Sequence, residues 1–213
     1  LPLVTPDRLA VVKGGPIGAC LIYAWHAGGE VQTLRRRREC PAARAPGTTL
    51  TLLPGTYQFR TRAIDRAGHM SPFTTGPTFQ VVAAGENRLC SPSVTTNCLT
   101  YTGTWTQETL ADAHVGGVRS NSNSGSTARF TFTGNRVSWT AMKGPNRGIA
   151  RVSIDGAFVT TVDLFAASNT RAVAYINNAL SNGPHTLVIR VTGTRNPESS
   201  GTSVAIDVMS VLN

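Results

Sequence analysis

The sequence predicts an all-β protein made of two β-sandwich domains. Its 213 residues exceed the about 100 to 150 residues of a typical single domain. Short segments alternate apolar and polar side chains, as in Ala150, Val152 and Ile154, which is typical of strands with one buried face. The chain has 21 glycines and 12 prolines, so turns should be frequent, and its second half has no helix-length amphipathic segment.

The first half has the strand and turn spacing of an immunoglobulin-like sandwich. Short candidate strands are separated by turn pairs such as Gly28-Gly29 and Pro54-Gly55. Tyr57 and Phe59 share one face of their strand, while Gln58 lies on the other. This alternation indicates a half-buried strand near the end of the first domain.

The segment LPGTYQFRTRAIDRAGHMS, residues 53–71, closely resembles the late strands of a bacterial fibronectin type III domain. Tyr57 stands where the tyrosine corner of that fold belongs. The resemblance covers about residues 5–83. It implies that residues 1–84 form a fibronectin type III-like spacer or protein-contact domain of a modular secreted protein.

Residues 100–213 carry a second set of alternating strands, and the small polar segment 85–99 is the expected linker. Phe130 with Phe132, and Leu187 with Ile189, are pairs that share one face. The candidate strands of this half are residues 100–106, 128–133, 136–141, 149–154, 158–164, 172–177, 185–191 and 203–211. A second sandwich is therefore expected.

Several motifs of this half resemble those of galactose-binding-like, jelly-roll sandwiches, which serve secreted bacterial enzymes as carbohydrate-binding modules. They are Gly103-Thr104-Trp105, ARFTFTG at 128–134, GPNRG at 144–148, VSIDG at 152–156, GPHTL at 183–187 and VAID at 204–207. Most are turns and strand pairs, so the resemblance implies the fold and a glycan-binding role without naming the glycan. A structural calcium ion is common in such sandwiches, and backbone carbonyls can supply its ligands without a motif.

The four cysteines favour an oxidising compartment. Cys20, Cys40, Cys90 and Cys98 lack the paired spacing of a zinc site, and an even number in a loop-rich β protein suits disulfides. Of the three possible pairings, Cys20 with Cys40 and Cys90 with Cys98 are favoured because each closes a local loop. One or more free buried thiols is the alternative. We expect a secreted or cell-surface protein, with any export signal removed or outside this chain.

The formal charge of +9 is not distributed as a nucleic-acid-binding surface would be. Much of the excess lies in the four arginines at residues 35–38, and such a run usually protects a strand edge or a loop. Nucleic acid is therefore an unexpected partner, and contact with an anionic polymer is the alternative. No run of about 18 apolar residues is present, so no membrane span is expected.

Catalytic motifs are absent from the sequence. It has no HExxH, GxSxG, phosphate-binding Walker or EF-hand pattern, and its four histidines are scattered singly. Acidic residues in the second half are few, and Asp155 belongs to an Asp-Gly hairpin turn. The chain is therefore predicted to be non-catalytic.

Strand reversal places the long polar loops of the second domain together. If each connection reverses the chain, the loops 107–127, 142–148, 165–171 and 193–202 gather at one end, where binding function usually lies. Asn and Arg side chains there can bond sugar hydroxyls and carboxylates. The candidate ligand-binding residues are Arg119, Asn121, Lys143, Asn146, Arg147, Asn169, Arg171, Arg195 and Asn196.

Two functions fit these observations. The favoured one is a glycan-binding accessory region of a secreted bacterial protein, whose partners are a polysaccharide, neutral or anionic, and the catalytic or surface domains of a larger protein. The alternative is a structural or adhesive module of a cell-surface or appendage protein without a small-ligand site.

Overall fold

The computed structural model describes residues 19–26, 31–33, 54–64, 69 and 71–212 of the chain. The chain divides into two compact units, and the division falls between Val81 and Val82. Every pair of named strands whose register is described is antiparallel, and the prediction of an all-β sandwich protein is confirmed. None of these residues forms a helix long and apolar enough to cross a membrane.

The first unit is described by four strands. They are β1 Ala19–His26, β2 Val31–Thr33, β3 Gly55–Ile64 and β4 Thr74–Gly85, the last of which contains the division between the units. β1 pairs with β2 and β3, and β3 pairs with β4. Tyr57 is buried and stacks on Phe79, with ring centroids 5.8 Å apart. The fibronectin type III assignment stays a prediction, and the arginine run at residues 35–38 lies outside the described residues.

The second unit is a sandwich of two sheets with a third, smaller sheet. One large sheet has the order β11-β10-β13-β8-β5, the other β12-β9-β15-β4, and the small sheet β14-β7-β6. The strands are β5 Cys98–Thr102, β6 Thr106–Thr109, β7 Gly117–Asn121, β8 Thr127–Gly134, β9 Arg136–Lys143, β10 Ile149–Ile154, β11 Ala157–Asp163, β12 Thr170–Asn177, β13 Gly183–Val191, β14 Val204–Ile206 and β15 Val208–Leu212. A single 3-10 turn, His114–Gly116, precedes β7.

The core of the second unit comes from the alternating positions that the sequence identifies. Phe130, Phe132, Trp139, Leu187 and Ile189 are fully buried in one apolar cluster. Burial of an aliphatic or phenylalanine side chain of this size contributes about 1.5 to 3 kcal/mol to folding. The alternation therefore fixes which face of each strand points inward.

Two elements differ from the sequence prediction. β6 and β7 lie inside the segment 107–127, which the sequence predicts as loop, apart from the first residue of β6. The predicted strand 203–211 is divided into β14 and β15 at Asp207, which is fully buried. The Asp207 carboxylate accepts hydrogen bonds from the His114 backbone N–H and the Arg171 guanidinium. Both bonds require the Asp207 side chain to point inward, and the strand pairing is interrupted at this residue.

The predicted pairing of Cys90 with Cys98 is confirmed. The two residues form a disulfide with a Cα–Cα distance of 4.9 Å, and Cys98 begins β5. The predicted linker 85–99 belongs to the second unit, where the Glu86 backbone N–H donates to the Asp207 carbonyl. The predicted partner of Cys20, Cys40, lies outside the described residues.

Candidate functional site

Strand register brings the long loops of the second unit to one end of the sandwich. At that end Ala150 pairs with Val191, and Lys143 with Thr170. The Asp155-Gly156 hairpin turn lies at the opposite end, where Ile154 pairs with Ala157. We call residues 122–126, 143–148, 164–170 and 192–203 the loop end.

Backbone hydrogen bonds tie these loops to each other. The Gly148 N–H donates to the Ser203 carbonyl over 2.8 Å, and the Gly144 N–H to the Leu164 carbonyl over 3.1 Å. A Cβ on Gly148 would stand 2.3 Å from the Thr202 carbonyl oxygen, so only glycine allows this approach. The Ser199 hydroxyl also donates to the Arg147 carbonyl over 2.7 Å. Side chains on these loops are therefore presented by a well-connected backbone.

Arg147, a predicted ligand-binding residue, is buried in an ion pair. Its Nη2 donates to Glu108 Oε2 over 2.8 Å, and its Nη1 to Glu108 Oε1 over 3.3 Å. The side chain of Arg147 is 3% exposed and that of Glu108 33%. Ser120 also donates to Glu108. Burial raises the pKa of Glu108, but the hydrogen bonds from Arg147 and Ser120 outweigh it and hold that pKa below its ordinary value.

Arg171, another predicted ligand-binding residue, is also held in an ion pair. Its Nε donates to the carboxylate of Asp207, and its side chain is 10% exposed. Asp207 in turn accepts the His114 backbone N–H at 2.6 Å. The guanidinium of Arg171 thus joins β12 to the β14–β15 break.

Three further predicted residues make contacts within the protein. Asn121 is buried and donates to the Thr104 carbonyl over 2.8 Å. Asn196 Nδ2 donates to Asp163 over 2.7 Å. The Arg119 guanidinium lies 5.4 Å from the centre of the Tyr101 ring, within the range of a cation–π contact. Asn121 and Asn196 thus hold loop segments in place, whereas Arg119 joins β7 to β5.

The remaining four predicted residues face solvent. Asn146, Asn169 and Arg195 are exposed, and Lys143 is partly exposed. Asn169 lies beside the 143–148 loop, because Thr170 pairs with Lys143 and Asn169 Oδ1 lies 2.3 Å from the position that a Cβ on Gly144 would occupy. No ion pair holds Lys143 or Arg195 among the described residues. An exposed surface of amide and cationic groups results.

The sequence does not identify the acidic residues that hold Arg147 and Arg171 in ion pairs and so separate them from the exposed predicted residues. Glu108 lies 39 residues from Arg147, and Asp207 lies 36 residues from Arg171. Their only sequence signal is that they are isolated acidic residues in polar or strand segments. These ion pairs join segments that are distant in the sequence, so no local sequence pattern predicts them.

The described residues contain no group of three or more His, Cys, Asp or Glu side chains that could hold a metal ion. Next to the loop end, the Asp163 carboxylate is bonded to Asn196 and to the Phe165 backbone N–H. The structural calcium ion stays an expectation of the sequence.

Comparisons with known proteins found no matching family model. A segment of 91 residues, 43% of this chain, is 32% identical to an A type blood α-D-galactosamine galactosaminidase of Flavonifractor plautii. The match spans 8% of that protein, so the chain corresponds to a small part of its length.

Similar solved structures include a Paenibacillus xanthan lyase, at 15% identity and a TM-score of 0.43, over 72% of this chain and 20% of that one. Another is the CBM36-1 domain of a multidomain xylanase from the hindgut metagenome of Trinervitermes trinervoides, at 12% identity and a TM-score of 0.41, over 62% of this chain and 96% of that one. A third is the Podospora anserina GH26-CBM35 β-(1,4)-mannanase, at 14% identity and a TM-score of 0.40, over 62% of this chain and 28% of that one.

Proposed function

We propose that the second unit is a non-catalytic glycan-binding domain of a larger secreted or cell-surface protein, and that it binds its glycan at the loop end. The first unit acts as a spacer. The observation that carries this proposal is the exposed set of Lys143, Asn146, Asn169 and Arg195 on loops held by mutual hydrogen bonds.

The chemistry of these side chains suits a sugar ligand. An asparagine amide offers a donor pair and an acceptor, which matches the donors and acceptors of vicinal hydroxyls. Lys143 and Arg195 add charge-assisted hydrogen bonds to hydroxyl or carboxylate oxygens. Because the loops are already ordered by the protein, little conformational entropy is lost when they bind.

The partners of the acidic side chains argue against glycosidase chemistry here. Such hydrolysis usually needs two carboxyl groups flanking the bond that breaks. At the loop end Glu108 is bonded to Arg147, and Asp163 to Asn196. Glu198 is exposed, but the described residues place no second uncommitted carboxylate in these loops. This supports a binding role.

Two other observations support an accessory role outside the cell. The likeness to a short part of a much longer galactosaminidase is what a reused accessory segment would give. The Cys90–Cys98 disulfide favours an oxidising compartment.

Isothermal titration of the full chain against soluble polysaccharides tests the proposal. The panel contains galactose- and N-acetylgalactosamine-bearing glycans, xylan and mannan. For a glycan that binds, the double variant Asn146→Ala with Asn169→Ala should weaken binding by about 1 to 3 kcal/mol, since each lost hydrogen bond contributes about 0.5 to 1.5 kcal/mol.

The matched control is Asn178→Ala with Asn182→Ala. Both of these asparagines are exposed, and they follow β12, whose last residue lies at the opposite end. The control should bind as the unmodified chain does. Equal affinities for the two double variants, or no binding to any glycan, would refute the loop-end site and favour a structural module.

A further inference from the structure

The outer face of the five-stranded sheet carries three exposed arginines on three adjacent strands. Arg151 in β10 is the register partner of Arg190 in β13. Arg129 in β8 is opposite Val188, which shares the outer face of β13 with Arg190. Neighbouring strands are about 4.8 Å apart, so the three side chains leave the sheet within a strip about 10 Å wide. We call Arg129, Arg151 and Arg190 the arginine face.

The carboxylate on this face, Asp163, is the register partner of Ile149 and is bonded to Asn196 and to the Phe165 backbone N–H. None of the three arginines makes an ion pair among the described residues. Asp155, at the end of β10, is held by His185 at 2.7 Å and by the Thr186 backbone N–H. Like charges directly opposite on antiparallel strands destabilise a sheet. Arg151 and Arg190 are directly opposite in register, and a bound anion would reduce the repulsion between their charges.

Two contacts describe how the guanidinium groups lie on the sheet. Arg151 stacks over the Phe158 ring of β11, with its central carbon 4.3 Å from the ring centre. Arg190 extends toward the turn at Gly125, and its Nη2 lies 3.6 Å from the position of a Cβ there. The two side chains thus point along the face in different directions and widen the cationic surface.

Threonine hydroxyls surround the arginines. Thr100 is the register partner of Arg129, Thr161 that of Arg151, and Thr127 that of Arg190. The Thr102 and Thr127 hydroxyls bond each other over 2.8 Å. Hydroxyl groups can donate to and accept from sugar hydroxyls, so the face offers hydrogen bonds as well as charge.

We propose that the arginine face binds an acidic polysaccharide, one whose sugars carry carboxylate or sulfate groups. Guanidinium groups bond such anions with two parallel N–H donors, which gives both strength and orientation. Single-stranded nucleic acid is favoured less, because its binding relies on aromatic rings that stack on bases. Phe158 is the ring described on this face, and Arg151 already covers it. The arginine face adjoins the loop end at Gly125, but the proposal does not depend on glycan binding at Asn146 and Asn169.

Affinity electrophoresis and isothermal titration of the full chain provide the test. The probes are polygalacturonate, dextran sulfate, uncharged dextran and single-stranded DNA, each at about 50 mM salt and again at about 1 M, where the Debye length falls to about 3 Å. Polygalacturonate or dextran sulfate should bind at low salt and be released at high salt. Which of the two binds identifies the anionic group.

The decisive variant is Arg151→Gln with Arg190→Gln, and its matched control is Arg88→Gln with Arg136→Gln. Both lower the net charge by two, but Arg88 and Arg136 lie off this sheet face. The face variant should weaken acidic polysaccharide binding about tenfold or more, since a hydrogen bond to a charged group contributes about 1.5 to 3 kcal/mol. Thermal melting of both variants checks that each is folded.

Three outcomes would overturn the proposal. One is equal binding of an acidic polysaccharide by the face variant and its control. Another is binding of single-stranded DNA more tightly than either acidic polysaccharide, which would assign the face to nucleic acid. The third is the absence of salt-sensitive binding to both polyanions. The face variant should keep any neutral-glycan binding that depends on Asn146 and Asn169, so failure here is distinguishable from failure of the loop-end site.

Discussion

Arg147 has a polar environment that the sequence does not reveal. Its guanidinium bonds both oxygens of Glu108, and Ser203 accepts a further bond from Nη1 at 3.1 Å. Removing one partner of a buried pair leaves a charge that the folded protein must still hold away from water. The pair therefore has more influence on stability than an exposed ion pair, which contributes about 0 to 1 kcal/mol.

We expect Glu108→Ala to lower the free energy of unfolding by about 2 to 4 kcal/mol. This range is slightly below the about 3 to 5 kcal/mol of a fully buried pair because Glu108 is 33% exposed. Glu198→Ala, at an exposed acid of the 192–203 loop, should change it by less than about 0.5 kcal/mol. Urea denaturation followed by tryptophan fluorescence measures both. Similar midpoints for the two variants would show that Glu108 does not compensate Arg147.

At the level of single side chains, the sequence identifies the polar residues near the loop end but does not predict which of them are exposed and which are buried. Asn146 and Asn169 are exposed as a ligand-binding residue must be, whereas Asn121 and Arg147 are buried. All four have the same polar character in the sequence. Their roles differ because distant loops supply, or do not supply, a bonding partner.

Among the secondary-structure elements, alternation identifies strands with one apolar face and fails for polar ones. β8 alternates Phe130 and Phe132 inward and was predicted from that pattern. β6 reads TQET and has no apolar residue, so its pairing with β7 depends on tertiary contacts. The same limit hides the break at Asp207, since one inward-facing acid resembles a single exception in an apolar strand.

The β10–β11 hairpin turn shows a local signal that succeeds. Asp155 and Gly156 have φ angles of +49° and +83°, as the two central residues of a type I′ turn require. The Asp-Gly pair predicts this turn because glycine adopts positive φ without strain and aspartate tolerates it.

Gly156→Ala should therefore destabilise the protein by about 1 to 2 kcal/mol, the cost of a Cβ in the left-handed region. Gly183→Ala is the control, because a Cβ at either glycine meets no atom within 4 Å. Of these two glycines, Gly156 has a positive φ in the left-handed region and Gly183 does not. The control should change stability by less than about 0.5 kcal/mol. Thermal unfolding compares them, and an equal loss in both variants would exclude backbone strain as the cause.

For the molecule as a whole, the sequence predicts two units but not the extent of the second. The composition of residues 85–99 suggests a linker, because it is small and polar. Ala84 is 1% exposed within the apolar cluster of the second unit, and the Tyr101 hydroxyl donates to the Glu86 carbonyl over 2.8 Å. Burial of the Tyr101 ring raises the pKa of its hydroxyl, with Arg119 opposing the shift. The polar segment is thus part of the packing of this unit.

A fragment of residues 82–213 should accordingly fold more stably than one of residues 100–213. The shorter fragment loses Ala84 from the core, the Glu86 backbone bond to Asp207 and the Cys90–Cys98 disulfide. It also lacks residues 82–85, the end of β4, and β4 lies beside β15, so β15 would become an exposed edge. A third fragment, residues 88–213, keeps the disulfide but lacks the end of β4. It therefore separates the contribution of the disulfide from that of residues 82–87.

Circular dichroism melts and dye binding to exposed apolar surface compare the three fragments. We expect the fragment 82–213 to unfold in one cooperative transition and the fragment 100–213 to melt at a lower temperature, with about 2 kcal/mol or more lost through core burial and loop closure. The fragment 88–213 should resemble 100–213 if the end of β4 dominates, and 82–213 if the Cys90–Cys98 disulfide dominates. Equal melting temperatures for 82–213 and 100–213 would mean that residues 82–99 contribute no packing and act only as a linker.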